Sequence, residues 1–179
     1  FLPLMLLASA ICSCSEKQPA TTEPMITKTE IQVENGHFTP EIMHRLGKVG
    51  DPQLSPNYGK ILYGVSYTSI EQNKGNRELF LMNADGTENV KLTSTPKSES
   101  NARWINDSQI IYMRGGKLYT AKVEGNALKN EKEITGAEGM ESFELSPAGD
   151  KIMFIKPIKA AQKPTDAYPD LDKSSGRTY

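Results

Sequence analysis

One short pattern comes round three times in this chain. Asp51-Pro52-Gln53-Leu54-Ser55-Pro56, Asn101-Ala102-Arg103-Trp104-Ile105-Asn106 and Ser142-Phe143-Glu144-Leu145-Ser146-Pro147 place Leu54, Trp104 and Leu145 at the same point, 50 and 41 residues apart. A period of that length is the size of one propeller blade, a four-stranded antiparallel sheet that buries its faces only against neighbouring blades. The expected fold class is therefore all-β: a partial β-propeller of about three four-stranded blades, preceded by a short helix and a leader. A ring takes roughly 4 to 8 blades, so these residues are expected to be a piece of a larger protein.

Within each repeat the apolar residues come in short runs between turn formers. In the first, Ile61–Tyr67 and Glu78–Asn83 read as strands, Thr68 to Asn76 as a polar loop, and Val90–Leu92 as a closing strand. Asp85-Gly86 between them reads as a tight hairpin turn with positive φ angles. The second repeat offers Gln109–Met113, a Gly115-Gly116 turn, Lys117–Val123 and a closing strand at Glu133–Thr135. The third offers Phe143–Leu145, a turn at Pro147-Ala148-Gly149-Asp150 and Lys151–Lys156, then a Lys/Pro/Asp-rich stretch. Net charge is −1 with no basic stripe, which excludes an electrostatic case for nucleic-acid binding. The two cysteines, Cys12 and Cys14, leave no disulfide framework in the body of the chain.

Residues Phe1 to Ile11 are almost wholly apolar and uncharged, long enough for a signal-peptide core and too short for the ~20 residues a membrane-spanning helix needs. Ile11-Cys12-Ser13-Cys14 follows and resembles a bacterial lipobox, with Cys14 as the lipidation site because Ile11 stands three places before it and small Ser13 directly before it. An ordinary cleaved secretory signal is the alternative. A lipidated Cys14 implies a bacterial envelope protein held to a membrane through its acyl chains, facing the periplasm or the cell surface. The polar stretch after it reads as a flexible tether. Thr39-Pro40-Glu41 then opens a short helix, with Thr39 as cap, Pro40 at the first position and Glu41 at the positive end of the dipole. The expected organisation is a leader over 1–14, a tether over 15–38, a helix within 39–48, blades over 49–97 and 98–136, and the start of a third over 137–179.

The pattern Leu54-Ser55-Pro56…Gly59-Lys60-Ile61-Leu62-Tyr63, with Leu79-Phe80-Leu81-Met82-Asn83-Ala84-Asp85-Gly86, resembles the blade consensus of TolB-like propellers. Leu46 to Pro56 behind the Thr39-Pro40-Glu41 helix, with Tyr63 to Tyr67 and Asn73 to Met82, is similar to the propeller half of the prolyl-oligopeptidase family, in particular its bacterial dipeptidyl- and acylaminoacyl-peptidase-like members. That resemblance runs from about Phe38 to Tyr179. It implies a serine peptidase acting on short peptides, whose propeller gates a C-terminal α/β-hydrolase domain carrying the Ser-Asp-His triad. No catalytic position can be matched in these residues, so the chain by itself is expected to be inactive. No cofactor or metal is implied. The partners implied are a peptide substrate, bound through the hydrolase domain, and a membrane, reached through the lipid anchor. A non-enzymatic TolB-like propeller that docks an envelope partner is the alternative.

Gly64-Val65-Ser66-Tyr67-Thr68 lacks the last glycine of a nucleophile elbow, and Ser66 falls within a strand. Asn83-Ala84-Asp85-Gly86 with Glu88 mimics part of a calcium loop but lacks its first acidic ligand and its closing glutamate. His37 and His44 are the only histidines and stand seven apart, with no metal-site spacing. Trp104 reads as a blade-core anchor. Glu71, Arg77, Glu99 and Glu141 could face a channel, with a solvated surface as the default reading.

Overall fold

The computed structural model describes residues 25–158. The expected leader, Cys14, the first part of the tether and the stretch after residue 158 lie outside the described residues.

After a 3-10 turn at Glu34–Gly36, helix α1 spans Pro40–Arg45. Thr39 caps it: its Oγ1 accepts a hydrogen bond from the Ile42 N–H at 3.3 Å. Glu41 sits in the first turn and His44 and Arg45 in the last, matching the helix dipole at both ends. Met43 and Leu46 stay exposed, so the apolar side of this helix contributes little burial within the described residues.

Among the described residues, ten strands follow in three antiparallel sheets. The first holds β1 (Lys48–Leu54), β2 (Lys60–Ser69), β3 (Lys74–Asn83) and β4 (Val90–Lys91) in that order. The second holds β5 (Glu99–Asn106), β6 (Gln109–Arg114), β7 (Lys117–Glu124) and β8 (Ala127–Ile134), again in chain order. β9 (Ser142–Leu145) and β10 (Ile152–Ile155) make the third. The result is an open, partial, propeller-like array.

Strand β6 shows why the sheets stack. Its run Ile110-Ile111-Tyr112-Met113 is apolar throughout, and side chains alternate across a strand. Ile110 and Tyr112 join Leu62, Leu79 and Leu81 of the first sheet and Ala102, Ala121 and Val123 of their own. Ile111 and Met113 join Leu118, Ala137, Met140 and Phe143 on the side of the third sheet. A strand buried on both faces needs no polar alternation. The far face of the first sheet carries Tyr63, Val65 and Tyr67, with Ile61, Ile26, Phe80 and Met82 packed around them.

The structure departs from the sequence reading at four places. The loop expected over Thr68 to Asn76 shrinks to Ile70–Asn73, because the β2–β3 ladder continues to Ser69↔Lys74. Asn76 is tolerated there, although buried, because its amide donates to the Ile26 and Thr95 carbonyls. The closing strand of the second sheet is the full β8, not Glu133–Thr135; its exposed lysines and glutamates lie on an outer edge and carry no apolar alternation. At Asp85-Gly86 only Gly86 has a positive φ, so this is not a two-residue mirror-image turn. Asp85 instead accepts from the Thr87 N–H and hydroxyl. In the turn after β1, Tyr58 takes the left-handed position (φ 60) that Gly149 (φ 70) holds in the third repeat. Finally, Met25 to Thr29, expected within the tether, lie against the first sheet: Ile26 packs beside Tyr63, Val65 and Tyr67, and the Lys91 ammonium donates to Thr27 Oγ1 at 3.1 Å.

Candidate functional site

The first strands of neighbouring sheets carry the same distortion. β1 has a bulge between Gly50 and Gln53, and β5 has one between Ser100 and Arg103. At each, one residue enters the left-handed region: Asp51 (φ 54) and Asn101 (φ 51). Asp and Asn are the side-chain-bearing residues that best tolerate this conformation. The bulges release side chains from the regular pleat and re-aim them between the sheets.

What they aim is a set of polar links. Arg103 Nη1 donates to both Asp51 carboxylate oxygens (2.9 and 3.0 Å) and to the Ala102 carbonyl. Its Nη2 lies 3.7 Å from Glu144 on β9. The Trp104 indole N–H donates to the Gln53 carbonyl (3.1 Å), and the Asn101 amide to the Phe143 carbonyl (2.7 Å). Apart from the bond to Ala102, each link crosses from one sheet to the next, so the three first strands are stitched side by side.

Arg77 reaches this region from β3 by lying over Gly64. A Cβ at position 64 would stand 2.3 Å from the Arg77 guanidinium, so glycine is what lets the arginine lie there without being pushed aside. Arg77 Nη2 donates to the Gly50 carbonyl at 2.8 Å and Nη1 to Ser66 Oγ at 3.3 Å. Asp51, Arg77, Ser100, Asn101 and Arg103 together line an open concavity of about 460 Å³.

Beside it, the second sheet holds a buried ionic network. Glu99 is fully buried; its Oε1 accepts from Arg114 Nε (2.8 Å) and Thr95 Oγ1 (2.6 Å), and its Oε2 from Thr93 Oγ1 (2.9 Å). Arg114 lies against the rings of Tyr112 and Tyr119 and also donates twice to Glu131, which accepts a hydrogen bond from the Tyr112 hydroxyl. The Arg114 guanidinium holds the Glu131 carboxyl below its ordinary range. Burial pushes the Tyr112 phenol up, reinforced by its bond to Glu131.

The structure sorts the residues singled out in the sequence. Arg77 lines the concavity. Glu99 faces protein groups, not a channel. Glu71 and Glu141 are exposed. Ser66 sits in β2 as an acceptor for Arg77, with no helix after it. His37 and His44 are exposed, and Asp85 belongs to a turn. Trp104 packs against the core between the first two sheets. Sequence reasoning missed Asp51, Asn101 and Arg103, although the first two share one position of the repeat; that equivalence of Asp with Asn was the available signal.

Comparison with known proteins bears on the family. The chain is 35% identical over 144 residues to dipeptidyl-peptidase 5 of Porphyromonas gingivalis, covering 79% of this chain and 21% of that protein. It is 30% identical over 154 residues to dipeptidyl-peptidase 5 of Porphyromonas endodontalis, covering 83% of this chain and 22% of that protein. The chain thus spans about a fifth of the length of the curated relatives it matches. Among solved structures, an acylaminoacyl peptidase of Pyrococcus horikoshii shares the fold over 63% of this chain and 17% of its own, with a TM-score of 0.50 at 16% identity. No family model matches. The repeat, the stitched sheets and the similarity to both dipeptidyl-peptidases lead to one conclusion: at the level of family, the chain is a homologue of prolyl-oligopeptidase-type peptidases.

Proposed function

We propose that the three sheets are successive propeller blades of a serine peptidase that removes dipeptides from short peptides. In this reading the propeller restricts entry to an α/β-hydrolase domain carried elsewhere in the parent protein. The mechanism there is acyl transfer from an activated serine, with an oxyanion hole holding the developing charge. The observation that carries the reading is the 35% identity to a dipeptidyl-peptidase across most of this chain. The bulged first strands support it, because they would present polar groups toward whatever passes between the sheets. Cys14 would be acylated after export and hold the enzyme to the bacterial envelope.

The test is to express the full-length parent protein and offer it dipeptidyl-nitroanilides. Release of nitroaniline, abolished by a serine-directed phosphonate, is the expected result, and the 179-residue chain alone should release none. A parent protein with no phosphonate-sensitive hydrolysis of any short peptide would overturn the enzymatic reading. Replacing Cys14 with Ala should move the protein from the membrane fraction to the soluble one; unchanged partitioning would remove the lipid anchor.

A further inference from the structure

We propose that Arg77 anchors a carboxylate-binding subsite in the concavity between the first two sheets, and that its ligand is the C-terminal carboxylate of a short peptide. The inference rests on the peptidase reading for the identity of the ligand, and on geometry for the site.

The guanidinium is held and only partly used. A guanidinium carries five N–H groups, and two of those of Arg77 are taken, by the Gly50 carbonyl and Ser66 Oγ. Those two bonds and the close approach to Gly64 fix its plane. Among the described residues Arg77 makes no ion pair. Asp51, the acidic residue lining the same concavity, is engaged through both oxygens by Arg103. Arg103 is taken by Asp51 and Glu144, so Arg77 is the guanidinium of this lining that has no carboxylate against it among the described residues.

The Arg77 guanidinium selects the ligand. A monoanionic carboxylate neutralises it and matches the planar fork of a guanidinium. A phosphate dianion would leave net negative charge beside Asp51 and near Glu144. The Ser100 hydroxyl lines the same space and can donate to the second carboxylate oxygen. The concavity is shallow and open, so the end of a chain can reach the guanidinium from solvent.

The experiment is calorimetric titration of the full-length protein with an N-acetylated tripeptide and with its C-terminal amide. The acetyl group keeps the probe from being processed as a free N-terminus. The acid should bind about tenfold more tightly than the amide, the worth of one charge-assisted pair. Arg77→Gln should abolish the difference, and Arg77→Lys should keep part of it, since the charge stays and the fork is lost. Equal binding of acid and amide by the unaltered protein would overturn the proposal, as would a preference that survives Arg77→Gln. Inorganic phosphate binding more tightly than the peptide acid would refute the carboxylate assignment. The comparison in the unaltered protein decides the matter even where a variant fails to fold. Phosphonate-sensitive hydrolysis is read separately, so loss of the peptidase reading and loss of the subsite are distinguishable.

Discussion

Replacing Glu99 with Ala should be among the most damaging single changes in the described part of the chain. Three donors converge on that carboxylate: Arg114 Nε, the Thr95 hydroxyl and the Thr93 hydroxyl. The Glu99 side chain has no solvent exposure and that of Arg114 only 16%, so water cannot readily replace what is lost. Removing one partner of a buried ion pair costs about 3–5 kcal/mol. Arg114 keeps Glu131, which places the expected loss near the lower end, about 3 kcal/mol. For a cooperative unit of about 150–250 residues that is roughly a 6–12 °C fall in Tm. Glu99→Gln keeps the shape and one acceptor oxygen and should cost about 1 kcal/mol. A double-mutant cycle of Glu99→Ala with Arg114→Met, read by urea denaturation, should show a coupling of at least about 1 kcal/mol. A loss below about 1 kcal/mol for Glu99→Ala, additive with Arg114→Met, would refute the idea that this network is desolvated and interdependent.

Gly64→Ala places a Cβ 2.3 Å from the Arg77 guanidinium, so the flexible arginine must turn aside; this should destabilise by about 0.5–1.5 kcal/mol in denaturant titration and weaken the acid-over-amide preference as well. Tyr58→Gly should do the reverse: Tyr58 is mostly exposed and left-handed, and relief of that conformation, less the extra entropy of an unfolded glycine, should raise stability by about 0.5–1 kcal/mol. Because Arg114 lowers the Glu131 pKa in the folded state, its contribution is fully present above the ordinary value of 4.5 and is lost as pH falls below it toward the depressed folded value. Urea midpoints should therefore drop across that window, and the drop should be shallower in Arg114→Met.

How much of this was legible beforehand can be argued from single residues. Thr39, Pro40 and Glu41 announce a helix start because capping is local chemistry, and the structure shows the cap bond at 3.3 Å. The apolar runs at Ile61–Tyr67 and Gln109–Met113 announce strands because a half-buried or buried strand writes its environment into consecutive residues. β8 escaped because an outer-edge strand of Lys and Glu is held by its ladder to β7, not by burial. Nothing local marks Glu99 as buried, since a lone glutamate normally lies at a surface, whether outer or lining a channel. Its burial depends on Arg114 standing opposite it in the β5–β6 register, and on the Thr93 and Thr95 hydroxyls turning in from the connecting segment.

The repeat of 50 and 41 residues, the strand-forming runs and the capped helix were thus settled by the order of the amino acids alone, since each rests on neighbours within one turn, one strand or one period. Which charges are paired, which are buried and which stay open was decided only by the stacking of the sheets. Arg77 pointing across Gly64, Asp51 meeting Arg103 and Ile26 covering Tyr67 join residues 13 to 52 positions apart, and strand register and sheet-to-sheet packing bring them together, not local preference.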